Sequence, residues 1–140
     1  MIPIYLQALS FSDIYGTNEN CIHAAAEMAS DLGLAGIDIE DRLLKTYEPE
    51  YLESLAQRIK SLGINLGYCG LLVDFSGPVQ SITLEIARAK KLSRAIKHLG
   101  MSSIRVPGNG VVGNQTVEST FKSVRKKIQQ ICQDAEQQSV

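Results

Sequence analysis

The chain has 140 residues, a formal net charge of -1, 44% hydrophobic and 21% charged residues, the make-up of one ordinary globular domain able to bury roughly 70% of its unfolded surface. The Lys and Arg residues are scattered apart from Arg125-Lys126-Lys127 on a helical face, so neither nucleic acid nor an anionic membrane is implied as a partner. Apolar runs stay well short of the roughly 20 residues a membrane span needs. The N-terminus lacks a basic stretch followed by an apolar one, and a cytoplasmic address is expected. Cys21, Cys69 and Cys132 are odd in number and far apart, which speaks against a disulfide framework or a zinc site and for buried thiols.

In chain order, the first strand is expected from Ile4 to Leu9, with Phe11 to Gly16 as its loop. Thr17 or Asn18 supplies a capping oxygen for a helix running to about Leu32. The second strand is Gly36-Ile37-Asp38-Ile39-Glu40, whose period of two turns its isoleucines one way and its carboxylates the other. A loop through Asp41-Arg42 to about Tyr47 precedes a helix that Pro49 opens, where its missing N–H is no loss. Leu52, Leu55, Ala56, Ile59 and Leu62 form the buried stripe of that helix. The third strand spans Ile64 to Cys69 and leads into the loop Gly70 to Pro78.

The following helix carries Ile82, Ile86, Ala89, Ile96 and Leu99. The fourth strand, Ser103 to Pro107, opens into Gly108-Asn109-Gly110-Val111-Val112-Gly113. The last helix presents Val117, Phe121, Val124, Ile128, Ile131 and Ala135 as an apolar stripe. Leu-Gly closes three of the helices, at Leu32-Gly33, Leu62-Gly63 and Leu99-Gly100, at spacings suited to βα units. Each Gly stands where a helix end calls for a positive φ. The expected fold class is α/β: parallel strands with helices outside, a (βα)4 half of a TIM barrel, with residues 1–140 as a single incomplete domain.

A parallel strand is covered on both faces, so an acidic face has to look into something polar. In a closed barrel that is the lumen at the C-terminal mouth of the strands. The same alternation gives Gln7, Asn65 and Arg105 to that side, one polar residue or more from each strand. A buried charge needs a partner, so Arg105 is expected beside Asp38 or Glu40, or with solvent reaching both. A structural ion pair and a ligand-binding role fit that arrangement equally well.

The stretch Leu34-Ala35-Gly36-Ile37-Asp38-Ile39-Glu40, the run Ile59-Lys60-Ser61-Leu62-Gly63-Ile64, Asp74-Phe75-Ser76 after the third strand, and Ala95 to Gly108 resemble the N-terminal half of the xylose isomerase-like TIM barrels, the superfamily of sugar phosphate isomerases/epimerases and endonuclease IV-type enzymes. The resemblance implies metal-assisted proton transfer alpha to a sugar carbonyl, with a small-molecule sugar or sugar phosphate as ligand. It implies Glu40 and Arg105 as substrate-orienting groups; Asp38 on the same strand face, and Asp74 and Asn109 in the loops, are further candidate contacts read from their positions. Such barrels have eight βα units. The resemblance places their divalent-metal ligands, a Glu/Asp/His/Glu set for Mn or Mg, mainly on strands five to eight. No metal ligand and no catalytic residue is therefore carried over to this chain, which is expected to be inactive alone. His23 and His98, without ligand partners at suitable spacing, read as structural or surface residues.

Two rival readings stand beside this one. Gly108 to Gly113 fits G-x-G-x-x-G between a strand and a helix, as in a small flavodoxin-like nucleotide- or phosphate-binding module. It sits, however, in the fourth βα turn, with no acidic strand end following. Asp74 and Ser76 equally suit a turn that bonds its own N–H groups, and Tyr68 suits either stacking on a sugar or packing. A four-stranded parallel sheet also leaves two edges open, so a non-catalytic half-barrel could form a homo-oligomer, or join another subunit, through those edges.

Overall fold

The computed structural model describes residues 2–73, 79–106 and 116–137. Four strands form one open parallel sheet in the order β1-β2-β3-β4: β1 (Tyr5–Gln7), β2 (Gly36–Glu40), β3 (Asn65–Gly70) and β4 (Ile104–Arg105). The helices are a short α1 (Ser12–Tyr15), α2 (Asn20–Asp31), α3 (Pro49–Ser61), α4 (Val79–Ala95) and α5 (Val117–Gln137). Tight 3-10 turns occupy Ala8–Phe11, Asp41–Leu43 and Ile96–Leu99. Sequential order with a helix in each connection makes this half of a TIM barrel. Among the described residues the strands follow one another without a reversal of order.

The helix ends follow from the sequence. Gly33, Gly63 and Gly100 have φ of 64°, 76° and 69°. The N–H of Leu34 returns to the carbonyl of Ala29 and that of Met101 to Ile96, the long-range bond of a glycine-ended helix. Asn18 behaves as a capping residue from just outside α2: its Oδ1 accepts the Asn20 N–H at 2.8 Å, and its Nδ2 donates to the Tyr15 carbonyl at 2.7 Å. Pro49 stands in the first turn of α3.

One face of the sheet is apolar and lies under the helices. Ile37 and Ile39 of β2 are fully buried with Ile22, Ala25 and Ala29 of α2, and with Leu52, Leu55 and Ile59 of α3. No helix among the described residues is long and apolar enough to cross a membrane.

Several expectations are corrected. β1 is only three residues long, because the chain coils into a 3-10 turn at Ala8 and the expected loop from Phe11 contains α1, closed by Gly16 at φ 72°. β4 is reduced to two residues. Cys21 and Cys69 are buried, but Cys132 is exposed on α5. On the same helix Val117 and Phe121 are exposed while Ile131 is buried, so only part of the predicted stripe has anything to pack on. The glycine loop 108–113, with Asn109, and the turn containing Asp74 and Ser76 lie outside the described residues.

Candidate functional site

The uncovered face of the sheet holds a polar rim at the C-terminal ends of the strands, built by register. Gln7 is level with Asp38, and Glu40, Gly70 and Arg105 are level across β2, β3 and β4. Neighbouring strands lie about 4.8 Å apart, so Arg105 and Glu40 are separated by a whole strand. They meet because that strand has no side chain there: Nη2 of Arg105 donates to Oε1 of Glu40 at 2.7 Å. A Cβ on Gly70 would sit 2.7 Å from the same carboxylate oxygen.

A second device lies one step earlier. Between the pairs Ile37–Leu66 and Ile39–Cys69, β3 carries one residue more than β2. Such a bulge leaves an N–H without its ladder partner and turns the following side chains over. The freed N–H of Tyr68 donates to Oδ1 of Asp38 at 3.0 Å. That oxygen occupies the space in which Gly67 would carry a Cβ. The bulge swings Tyr68 to the polar face, where its hydroxyl lies 3.3 Å from the Gln7 amide and its ring lies under the Arg105 guanidinium, 5.3 Å to the centroid. The other end of the Gln7 amide is buried without a hydrogen-bond partner. One polar atom stays unsatisfied whichever way that amide is turned.

The expected meeting of Arg105 with Glu40 is therefore present. Asp38 lies on the same face but bonds to backbone instead. Asn65 does not join them: it begins β3 at the opposite end, is exposed, and donates to the Ala35 carbonyl. A cavity of about 500 Å³ between α3 and the Ile96–Leu99 turn also lies at that far end of β3. In it Nδ1 of His98 is 2.8 Å from Oε1 of Glu53.

Sequence reasoning missed a second arginine cluster. Asp41, the residue after Glu40, takes Arg88 of α4 in two-pronged fashion, Nε to Oδ2 at 2.6 Å and Nη2 to Oδ1 at 2.7 Å. It also accepts the Tyr47 hydroxyl at 2.8 Å, while Arg88 donates to the Leu72 carbonyl. Burial opposes the Arg88 charge, but the Asp41 bonds and charge outweigh it and raise its pKa further. Burial, reinforced by the Asp41 charge, pushes the Tyr47 phenol well above its ordinary value. Cys69 beneath is pushed far up by burial and by Asp41 and Glu40, which makes it an inert thiol. A side-chain pair 47 residues apart in sequence has no local periodicity to betray it.

Nearer the surface, Glu19 accepts the Tyr51 hydroxyl at 2.8 Å and lies 3.3 Å from Nε2 of His23. The Tyr51 bond, with lesser help from His23 and Lys45 and against burial, lowers the Glu19 carboxyl. Burial pushes Tyr51 up to about 12. Among the described residues no three His, Cys, Asp or Glu side chains are grouped to hold a metal ion, and Glu40 is already engaged by Arg105. The described residues thus do not fit the divalent-metal set that the resemblance implies for a full-length parent.

No protein-family model and no curated protein matches the sequence. Solved structures do match. D-psicose 3-epimerase from Clostridium cellulolyticum H10, whose structures were determined with D-tagatose, superposes with a TM-score of 0.67 at 15% identity, over 82% of this chain and 43% of that one. A xylose isomerase domain protein from Planctomyces limnophilus gives 0.58 at 13% identity, over 79% and 46%. The fold is that of half a TIM barrel, as in these two proteins. The half-barrel spans less than half the length of the solved structures it matches, and its polar rim lies at the strand ends where barrels of this architecture place their chemistry.

Proposed function

We propose that residues 1–140 form a single incomplete barrel that supplies one wall of a sugar-binding site of the isomerase/epimerase type. The observation that carries this reading is the Arg105–Glu40 pair reaching across Gly70 at the C-terminal rim. It presents a half-exposed guanidinium, stacked on Tyr68, to the uncovered side of the sheet. Arg105 and the Tyr68 hydroxyl donate to sugar oxygens, Asp38 accepts from a sugar hydroxyl, the buried Glu40 holds Arg105 in place, and the Tyr68 ring offers a face to the apolar side of a pyranose or furanose.

Two carboxylates against one guanidinium favour a neutral sugar over a sugar phosphate. No proton-transfer step is assigned to the described residues, and the chain by itself is proposed to be an inactive binder. The likeness to D-psicose 3-epimerase supports ketoses as the first ligands to try. Three unpaired cysteines fit a reducing, cytoplasmic setting.

The test is titration with D-tagatose, D-psicose and a ketose phosphate, followed by amide chemical shifts. Saturable shifts at Gly67, Tyr68 and Gly70, lost in Arg105→Ala and weaker for the phosphate, are expected. Shifts confined to other parts of the chain, or none, would refute the sugar site. Epimerisation of either ketose by the purified chain with added Mn²⁺ or Mg²⁺ would refute its inactivity.

A further inference from the structure

From Ile86 to Val117 the sequence has Arg88, Lys90, Lys91, Arg94, Lys97 and Arg105 and no Asp or Glu, although the chain as a whole has 15 acidic residues against 14 Lys and Arg. A solvated helix face ordinarily mixes both signs of charge. Two of these cations are consumed inside the molecule, Arg88 by Asp41 and Arg105 by Glu40. Lys91, Arg94 and His98 follow one another at the spacing that lines residues up along one flank of a helix, here α4 and the 3-10 turn that continues it.

That flank forms one wall of a cavity of about 420 Å³, with Thr46 to Pro49, the residues entering α3, on the other wall. The volume is that of a small-molecule site. Lys91 and Arg94 are exposed, so the cavity opens to solvent on the helical layer, away from the polar rim. His98 also borders the larger cavity described above, and Glu53, which takes its Nδ1, lies on that side and not on this one. Among the described residues that line the smaller cavity, Glu48 is the one acid. The Thr46 hydroxyl oxygen accepts the Glu48 N–H at 3.3 Å, which leaves its own proton to donate. α3 opens there without a side-chain cap, and the positive end of its dipole adds to the field of the cations.

We propose that this cavity binds the phosphate group of a small phosphorylated molecule. Arg94 offers a planar fork to two phosphate oxygens, Lys91 a point charge and Thr46 a neutral donor. His98 adds a further positive charge when protonated. The site is separate from the sugar-binding wall and does not rest on it.

The probes are inorganic phosphate, glucose 6-phosphate and, as the uncharged control, glucose, each added to the full chain at an ionic strength held constant with sodium chloride and followed by amide chemical shifts. Both phosphates are expected to give saturable shifts at Thr46, Tyr47, Lys91, Ala95 and His98, tighter for glucose 6-phosphate, and glucose none there. Lys91→Glu should weaken binding about tenfold or more and Lys91→Arg preserve it, both folded by circular dichroism because Lys91 is exposed. Lys126→Glu on α5 makes the same change in net charge at another exposed position and should leave binding as it is. Shifts that fail to saturate, or an equal loss in Lys126→Glu, would reveal a general charge effect and overturn the site. Shifts at Gly67, Tyr68 and Gly70 instead would move the phosphate to the rim and overturn it as well. Equal affinity for the two phosphates would overturn a phosphorylated molecule in favour of the free ion.

Discussion

Glu40 and Asp41 are neighbours in sequence, both almost wholly buried and both bound to an arginine, yet their two sites differ in kind. Asp41 points back among the helices, where Arg88 grips it with two bonds, Tyr47 adds a third, and Arg88 spends a further bond on the Leu72 carbonyl. Glu40 points to the uncovered face, where Arg105 reaches it with one bond and keeps 49% of its side chain exposed, against 32% for Arg88. The contrast teaches that an ion pair's role is set by what its arginine has left to offer. Arg88 is consumed in tying α4 to the end of β2. Arg105 keeps part of its surface for something outside the chain.

The largest effect that sharpens this comparison is expected from Arg88→Ala. It strands a buried carboxylate and should lower unfolding free energy by about 3–5 kcal/mol in urea titrations, with sugar affinity per folded molecule unchanged. A smaller loss than that of Arg105→Ala would break the comparison. Gly70→Ala comes next, at about 1–3 kcal/mol, because the new methyl group displaces the Glu40 carboxylate. It should also abolish the sugar-induced shifts, since Arg105 loses its anchor. Arg105→Ala is expected to cost about 1–2 kcal/mol while removing sugar binding, and Arg105→Lys to restore stability better than binding because an ammonium cannot lie flat on Tyr68.

The smallest effect is that of pH. The Glu19 pKa is lowered on folding by its Tyr51 bond. Its contribution is therefore complete above the ordinary carboxylate pKa and lost as pH falls through the folded value. Tyr51→Phe should flatten that acid limb, costing about 0.5 kcal/mol at neutral pH and nothing once Glu19 is protonated, as measured by thermal unfolding from neutral to acid pH.

Much of the framework is legible in the sequence. The Leu-Gly phrases at Gly33, Gly63 and Gly100, the strand Gly36 to Glu40 and the stripe of α3 depend on neighbours within a few residues, and local sterics and periodicity decide them. The pairing of Arg105 with Glu40 is also accessible, because alternation within strands and the cost of a buried charge restrict its partners. Tyr68 escapes such reasoning: strict alternation turns it toward the helices, and only a bulge created by pairing with β2 brings it to the polar face. Asp41 with Arg88, and the exposed Phe121, escape for the same reason. Periodicity says which residues share a face but not whether another element lies against it.

The sequence by itself determined the order of helices and strands, the glycine-marked helix ends, the parallel α/β class and the acidic face of β2, since these follow from backbone preferences and side-chain periods acting over short range. Only the tertiary structure decided that Gly70 opens the path between Arg105 and Glu40, that one extra residue in β3 turns Tyr68 to the polar face, and that Asp41 is spent on Arg88. Each of these depends on the register of strands that meet only after the intervening helices have folded back, and register is a property of the assembled sheet and not of any one segment.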